Sequence, residues 1–176
     1  MKPLLRASHL TAAFLLVLSL TTFSHAQSPA RDAEAVKAAL ILNFTRFTTW
    51  PESSSRPLVF VVVGNSELAA SLTALTNNRK IANRSVLVRM TDRTEDVGTA
   101  DVLFIDPDER RVVDLLQRAG PATLTVGEHP AFLRDGGMIR VYAEGGRMRF
   151  SIDRQNVERA GLRLSSQLLE LSSGGR

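Results

Sequence analysis

The chain contains no cysteine. That absence excludes disulfides, zinc–thiolate centres, thiol catalysis, thiol redox sensing and lipid attachment through sulfur. Histidine is scarce as well: His9 and His25 lie in the first 26 residues, and His129 is the third. One imidazole without thiols makes no transition-metal set. A Ser-His-Asp arrangement would have to use His129, which stands in Gly127-Glu128-His129-Pro130, a solvated helix entry rather than a cleft. No Gly-Gly-Asp-Glu-Phe string occurs, so the chain is not itself an evident cyclic-dinucleotide synthase. Beyond the first residues no apolar run is long enough to span a bilayer.

Lys2 and Arg6 precede an apolar stretch, residues 10–20, too short to cross a membrane. Ser24-His25-Ala26 then offers small residues at the two positions a signal peptidase reads. This pattern predicts a signal peptide over residues 1–26, cleaved after Ala26, and a single exported domain over residues 27–176. Loss of Lys2 and Arg6 leaves 20 basic against 18 acidic residues, so the formal net charge falls from +4 to +2. A nearly balanced exported domain is a poor match for nucleic acid.

In the mature region, hydrophobic periodicity predicts a helix over residues 32–49, opened by Asp32 and stopped by Pro51. Val36, Leu40, Phe44 and Phe47 make its core stripe, and Ala39, Ile41 and Leu42 widen the apolar arc beyond what one buried face needs. The unbroken run 58–63 reads as a central strand, followed by a helix over 67–75. Strands are expected at 85–90, 100–105 and 122–126, a short helix at 109–118, and a hairpin from 138–143 and 147–152 around Glu144-Gly145-Gly146. Val157, Gly161, Leu164, Leu168 and Leu171 recur at helical spacing and predict one last helix opened by Asp153. Alternating strands and helices point to an α/β fold, a three-layer sandwich. Its sheet is expected to be mainly parallel and five- to six-stranded, with a C-terminal β-hairpin and flanking helices. The link over 91–99 is short for a crossover helix.

The chemical inventory is thin. Asp106, Asp108 and Glu109 are an acidic group that fits a helix N-terminus better than a metal site, so no metal is assigned. Gly64, in Val63-Gly64-Asn65-Ser66, stands at a strand-to-helix turn but lacks the further glycines of a dinucleotide loop and the Lys of a P-loop. No cofactor is assigned. Arg79, Lys80, Arg84 and Arg89 form a basic stretch, read as a solvated strand edge or an acidic partner's landing surface.

Four segments in order resemble the YfiR-like family of bacterial periplasmic proteins. They are Val36 through Leu42-Asn43-Phe44-Thr45-Arg46-Phe47 to Trp50-Pro51; Arg79-Lys80-Ile81 with Arg84 to Arg89; Leu124-Thr125-Val126-Gly127-Glu128 with Gly136-Gly137-Met138-Ile139; and Arg149-Phe150-Ser151-Ile152-Asp153 with Ala160-Gly161-Leu162 and Ser165 to Leu169. The resemblance implies a compact periplasmic domain without an active site. Its understood relatives bind the periplasmic sensor domain of an inner-membrane diguanylate cyclase and repress cyclic-di-GMP synthesis. An outer-membrane lipoprotein can take the repressor away. Relatives commonly carry cysteines linked to redox control, which this chain cannot share.

Two functions follow as expectations. The first is a non-enzymatic regulator, expected as a homodimer, that meets its partner through Ile41, Phe47, Trp50, Arg79 and Lys80. Ile41 is the key residue: with Leu40 and Phe44 turned inward, it swings to the open side of the first helix. The second is a soluble periplasmic receptor that holds a small ligand beyond the strand C-termini, near Gly64, Asp106 and Gly127.

Overall fold

The computed structural model of the protein describes residues 29–51 and 56–172. The expected signal peptide and its cleavage site lie outside them. In chain order the first elements are α1 (Pro29–Arg46), β1 (Thr48–Thr49), β2 (Leu58–Val63), α2 (Ser66–Thr76), β3 (Lys80–Ile81) and β4 (Arg84–Thr91). A 3-10 helix (Thr94–Thr99) leads to β5 (Val102–Ile105), α3 (Val112–Arg118), β6 (Leu124–Gly127), β7 (Ile139–Glu144) and β8 (Arg147–Ile152). The chain closes with α4 (Arg154–Arg159), β9 (Arg163–Leu164) and α5 (Ser166–Leu171).

The α/β class holds, but the sheet is mixed rather than mainly parallel. Seven strands run in the order β3-β4-β2-β5-β6-β7-β8, and β1 pairs apart from them with β9. Parallel pairing joins β4, β2, β5, β6 and β7. Both flanks are antiparallel, because β3 and β8 return through tight turns that leave no room for a crossover. The short link after β4 succeeds with a single 3-10 helix, which packs Val97 under the sheet where a full helix was missing.

The unbroken apolar run of β2 follows from burial on both faces. Leu58, Phe60 and Val62 point to the side covered by α1 and α2, while Val61 and Val63 point to the side covered by the 3-10 helix and α3. β5 alternates in the same way, with Val102 and Phe104 on one side and Leu103 and Ile105 on the other.

Two expected elements differ. Helix α1 ends at Arg46 rather than Thr49, and Thr48 and Thr49 pair with Leu164 and Arg163. The expected single C-terminal helix is broken: Gly161 takes φ +72° between α4 and β9, and Leu162 N–H returns to Val157 O at 3.1 Å. Of the expected stripe, Val157 and Leu168 are buried in one core and Leu164 packs against it, whereas Leu171 is 71% exposed.

Candidate functional site

Helix α1 carries the first candidate surface. Its core face is formed by Ala38, Ile41, Leu42 and Phe44, with Phe44 edge-on to Phe150 at 4.9 Å between ring centroids. Ile41 is fully buried, at 0% exposure, so its expected place on the open side is corrected. The helix is rotated by about one residue from the register that the pattern suggested. The same face carries Lys37 inward, where its ammonium meets Glu34 of the same helix and Glu128 just past β6. The open side instead presents Val36, 53% exposed, together with Ala39, half-buried Leu40 and Asn43. Across from them stand Ala143 and Met148 of the β7–β8 hairpin, and the groove between has a volume of about 710 Å³. It is mostly apolar, with Asp32 at one end and Arg147 on the hairpin.

The other expected partner residues fall in separate places. Phe47 is 38% exposed just past α1, and its carbonyl accepts from Ser165 N–H at 2.9 Å. Trp50 packs against the core from the next loop. Arg79 and Lys80 are exposed at the turn leading into the short edge strand β3. Arg84 is not part of a solvated edge: it is buried, which corrects the reading of that basic stretch.

At the C-terminal ends of the parallel strands, Gly64, Asp106 and Gly127 do come to one edge, following β2 and β5 and ending β6. The space beside them is filled. A Cβ on Gly64 would lie 2.8 Å from Asp106 Cβ, and one on Gly127 would lie 2.5 Å from the buried Phe132 ring. These glycines serve close packing rather than a ligand loop. Above them, α1 inserts Lys37, whose Nζ meets Glu34 Oε1 at 2.8 Å and Glu128 Oε1 at 2.5 Å. Burial pushes the Glu128 carboxyl above the usual carboxylate range. Lys37 offsets this only in part, since its one ammonium is shared with Glu34 and Asp106 adds like charge. Burial alone would lower Lys37, but hydrogen bonds and charge from Glu128 and Glu34 outweigh it and raise its pKa.

The acidic group 106–109 is occupied by local bonds. Asp106 Oδ1 accepts from Asp108 N–H at 3.0 Å, and Arg111 binds Glu109 at 2.8 Å. The Arg111 guanidinium holds the Glu109 carboxyl down to about 2. No group of three or more His, Asp or Glu among the described residues is placed to hold a metal ion. His129 stays at the surface, its Nδ1 accepting from Ala131 N–H at 3.3 Å.

A site that sequence reasoning missed lies at the opposite ends of the strands. Asp101, just before β5, is buried and accepts from Val59 N–H at 2.8 Å, from Arg84 Nη2 at 3.0 Å and from Arg56 Nη1 at 2.7 Å on Oδ2. Its Oδ1 accepts from Arg56 Nη2 at 2.8 Å. The three charges are 17 and 45 residues apart along the chain, so no local spacing could announce them.

These observations define a mixed-sheet α/β domain whose open features include a helix-and-hairpin groove and a charged cavity at the strand origins. The YfiR/HmsC-like family matches over residues 34–173, and the chain belongs to that family, which is regulatory and non-catalytic. A similar solved structure is a conserved domain protein from Vibrio cholerae O1 biovar eltor, with a TM-score of 0.51 at 13% identity. The match covers 80% of this chain and 59% of that one, so the protein spans less than two thirds of the length of that neighbour. No curated protein matches this chain. No helix among the described residues is long and apolar enough to cross a membrane.

Proposed function

We propose that the protein is a periplasmic regulator that binds the sensor domain of an inner-membrane diguanylate cyclase and holds cyclic-di-GMP synthesis down. Family membership supports the regulatory class and the signalling theme. The leader-like segment before Asp32 supports export. The observation that carries the binding surface is the open side of α1. Val36 and Leu40 face Met148 across a groove with no element of the described chain laid over it. A lone exposed Val needs no explanation, but an apolar helix stripe beside an apolar hairpin suits a partner helix laid between them. An outer-membrane lipoprotein that withdraws the repressor, and a homodimeric resting state, belong to the same proposal.

The experiment compares Val36→Asp with the wild type. Its measurements are capture by the periplasmic domain of a membrane cyclase encoded beside this gene, and cellular cyclic-di-GMP. The expected result is a loss of binding of about 30-fold, the scale of a hot-spot residue worth about 2 kcal/mol, with an unchanged melting curve. Deletion of the gene should raise cyclic-di-GMP. A wild-type protein that binds no such domain, or a deletion that leaves cyclic-di-GMP unchanged, overturns the reading.

A further inference from the structure

Helix α1 turns one face to the core and leaves the opposite one open. Asp32, Val36, Ala39, Asn43 and Arg46 lie on the open face, and all are exposed. Their spacing of four, three, four and three is the heptad step by which one helix presents a continuous seam to another. Half-buried Leu40 flanks the seam, and Ala143 and Met148 of the hairpin form the far wall of the groove beside it.

Two opposite charges close the seam. Asp32 stands in the first turn of α1 and Arg46 in the last. Neither makes an ion pair among the described residues. Each suits the dipole of its own helix, but the dipole does not account for the apolar residues between them. Ala39 stands midway, about two turns from Asp32 on one side and about two turns from Arg46 on the other. A second α1 laid antiparallel about a two-fold axis at Ala39 therefore brings each Asp32 to the partner's Arg46. A parallel alignment would set like charges against each other at both ends. The small side chain at the crossing point also lets the two helix axes approach closely.

We propose that α1 is self-complementary: a second copy of this chain seats its own α1 antiparallel in the groove between α1 and the β7–β8 hairpin, with Ala39 at the two-fold axis. That pairing covers Val36 and Leu40, the surface given to the cyclase domain. Self-association then caps the regulator, and release of a single chain opens it. The capping rests on the cyclase reading; the self-pairing does not. Asn43 is a polar residue within the seam, which fixes register at a cost in stability. The seam is also short, so the pairing is weak and depends on concentration.

Sedimentation of the exported protein, carried up to about 1 mM, reads the pairing. The wild type should pass from monomer to dimer across this range. Ala39→Lys puts two ammoniums at the axis and should weaken dimerisation at least tenfold, with an unchanged melting curve because Ala39 is exposed. Asp32→Arg and Arg46→Asp should each weaken it as well. Both changes in one chain reverse the two ion pairs and should restore dimerisation to within about threefold of the wild type. A wild type that stays monomeric overturns the proposal. So does Ala39→Lys associating like the wild type, or a double variant no tighter than the single ones. With the periplasmic cyclase domain added, each complex should hold one copy of this chain, and a complex that keeps the paired copies overturns the capping. Failure to capture the domain at all removes the cyclase reading, and the capping with it, while sedimentation alone still decides the self-pairing.

Discussion

Ile41 and Val36 exchange the places that hydrophobic spacing suggests for them. Ile41 lies in the dry core beside Phe44, whereas Val36 faces solvent. An aspartate at position 41 would bury a carboxylate without a partner. Ile41→Asp is therefore expected to cost about 3–5 kcal/mol, seen as a large drop in melting temperature. Val36→Asp should stay within about 0.5 kcal/mol of the wild type. A wild-type-like melt for Ile41→Asp would mean that the helix sits in the other register. Glu128 makes a prediction in pH. Its carboxyl is raised above the usual range, so the folded state holds a proton that the unfolded chain has lost. Its contribution to stability is therefore present below the unfolded carboxylate pKa. It is lost as pH rises from there through the higher folded value. Urea midpoints measured through the mildly acidic range should show this fall in the wild type and less of it in Glu128→Gln. An equal slope in both proteins would assign the pH dependence elsewhere. Glu109, held down to about 2 by Arg111, works in the opposite sense, its contribution being lost only as pH falls toward that value.

At the scale of elements, the C-terminal segment is the instructive case. A run with helical spacing from Val157 to Leu171 becomes helix, strand pair and helix, because Gly161 adopts a left-handed backbone and β9 has a partner in β1. A Cβ at Gly161 would meet only Pro51 Cγ at 3.8 Å, an ordinary contact. The cost of Gly161→Ala is then one of backbone conformation alone, about 1 kcal/mol, measurable as a shift in the urea midpoint. Gly127→Ala should cost much more, since its Cβ would drive into the fully buried Phe132 ring. If the two substitutions were equally mild, Phe132 would have room to move that the packing denies it.

Across the whole molecule, α1 acts as a strap running opposite to the parallel strands. Glu34 and Lys37 fasten its start at the C-terminal strand ends, and Trp50 follows its end to the N-terminal ones. The Arg56–Asp101–Arg84 cluster binds the origins of β2, β4 and β5 to each other. Asp101→Ala would leave two guanidiniums facing one another around a vacated carboxylate. It is expected to cost about 3–5 kcal/mol in equilibrium unfolding, far more than removal of the exposed Arg93–Glu95 pair. Without cysteine, the fold relies on such packing and ion pairs throughout. A thiol reductant should leave melting and partner capture unchanged; a rapid reversible shift would contradict this.

The sequence by itself determined the α/β class, most of the strands, the hairpin and the family. Each of these rests on local signals: β-branched runs, turn residues and ordered motifs read over short spans. It also determined that thiol chemistry is absent. Only the tertiary structure decided which side of α1 faces inward. An arc of apolar residues wider than one face leaves the rotation open until the helix is packed on the sheet, where Ala38, Ile41, Leu42 and Phe44 join the core. The tertiary structure also decided that Gly64, Asp106 and Gly127 line a packed edge, because what fills that edge comes from α1 and from Phe132. The Arg84 cavity belongs wholly to tertiary structure. Its charges come from three segments that are distant in the chain, and sheet order alone brings them within hydrogen-bonding reach.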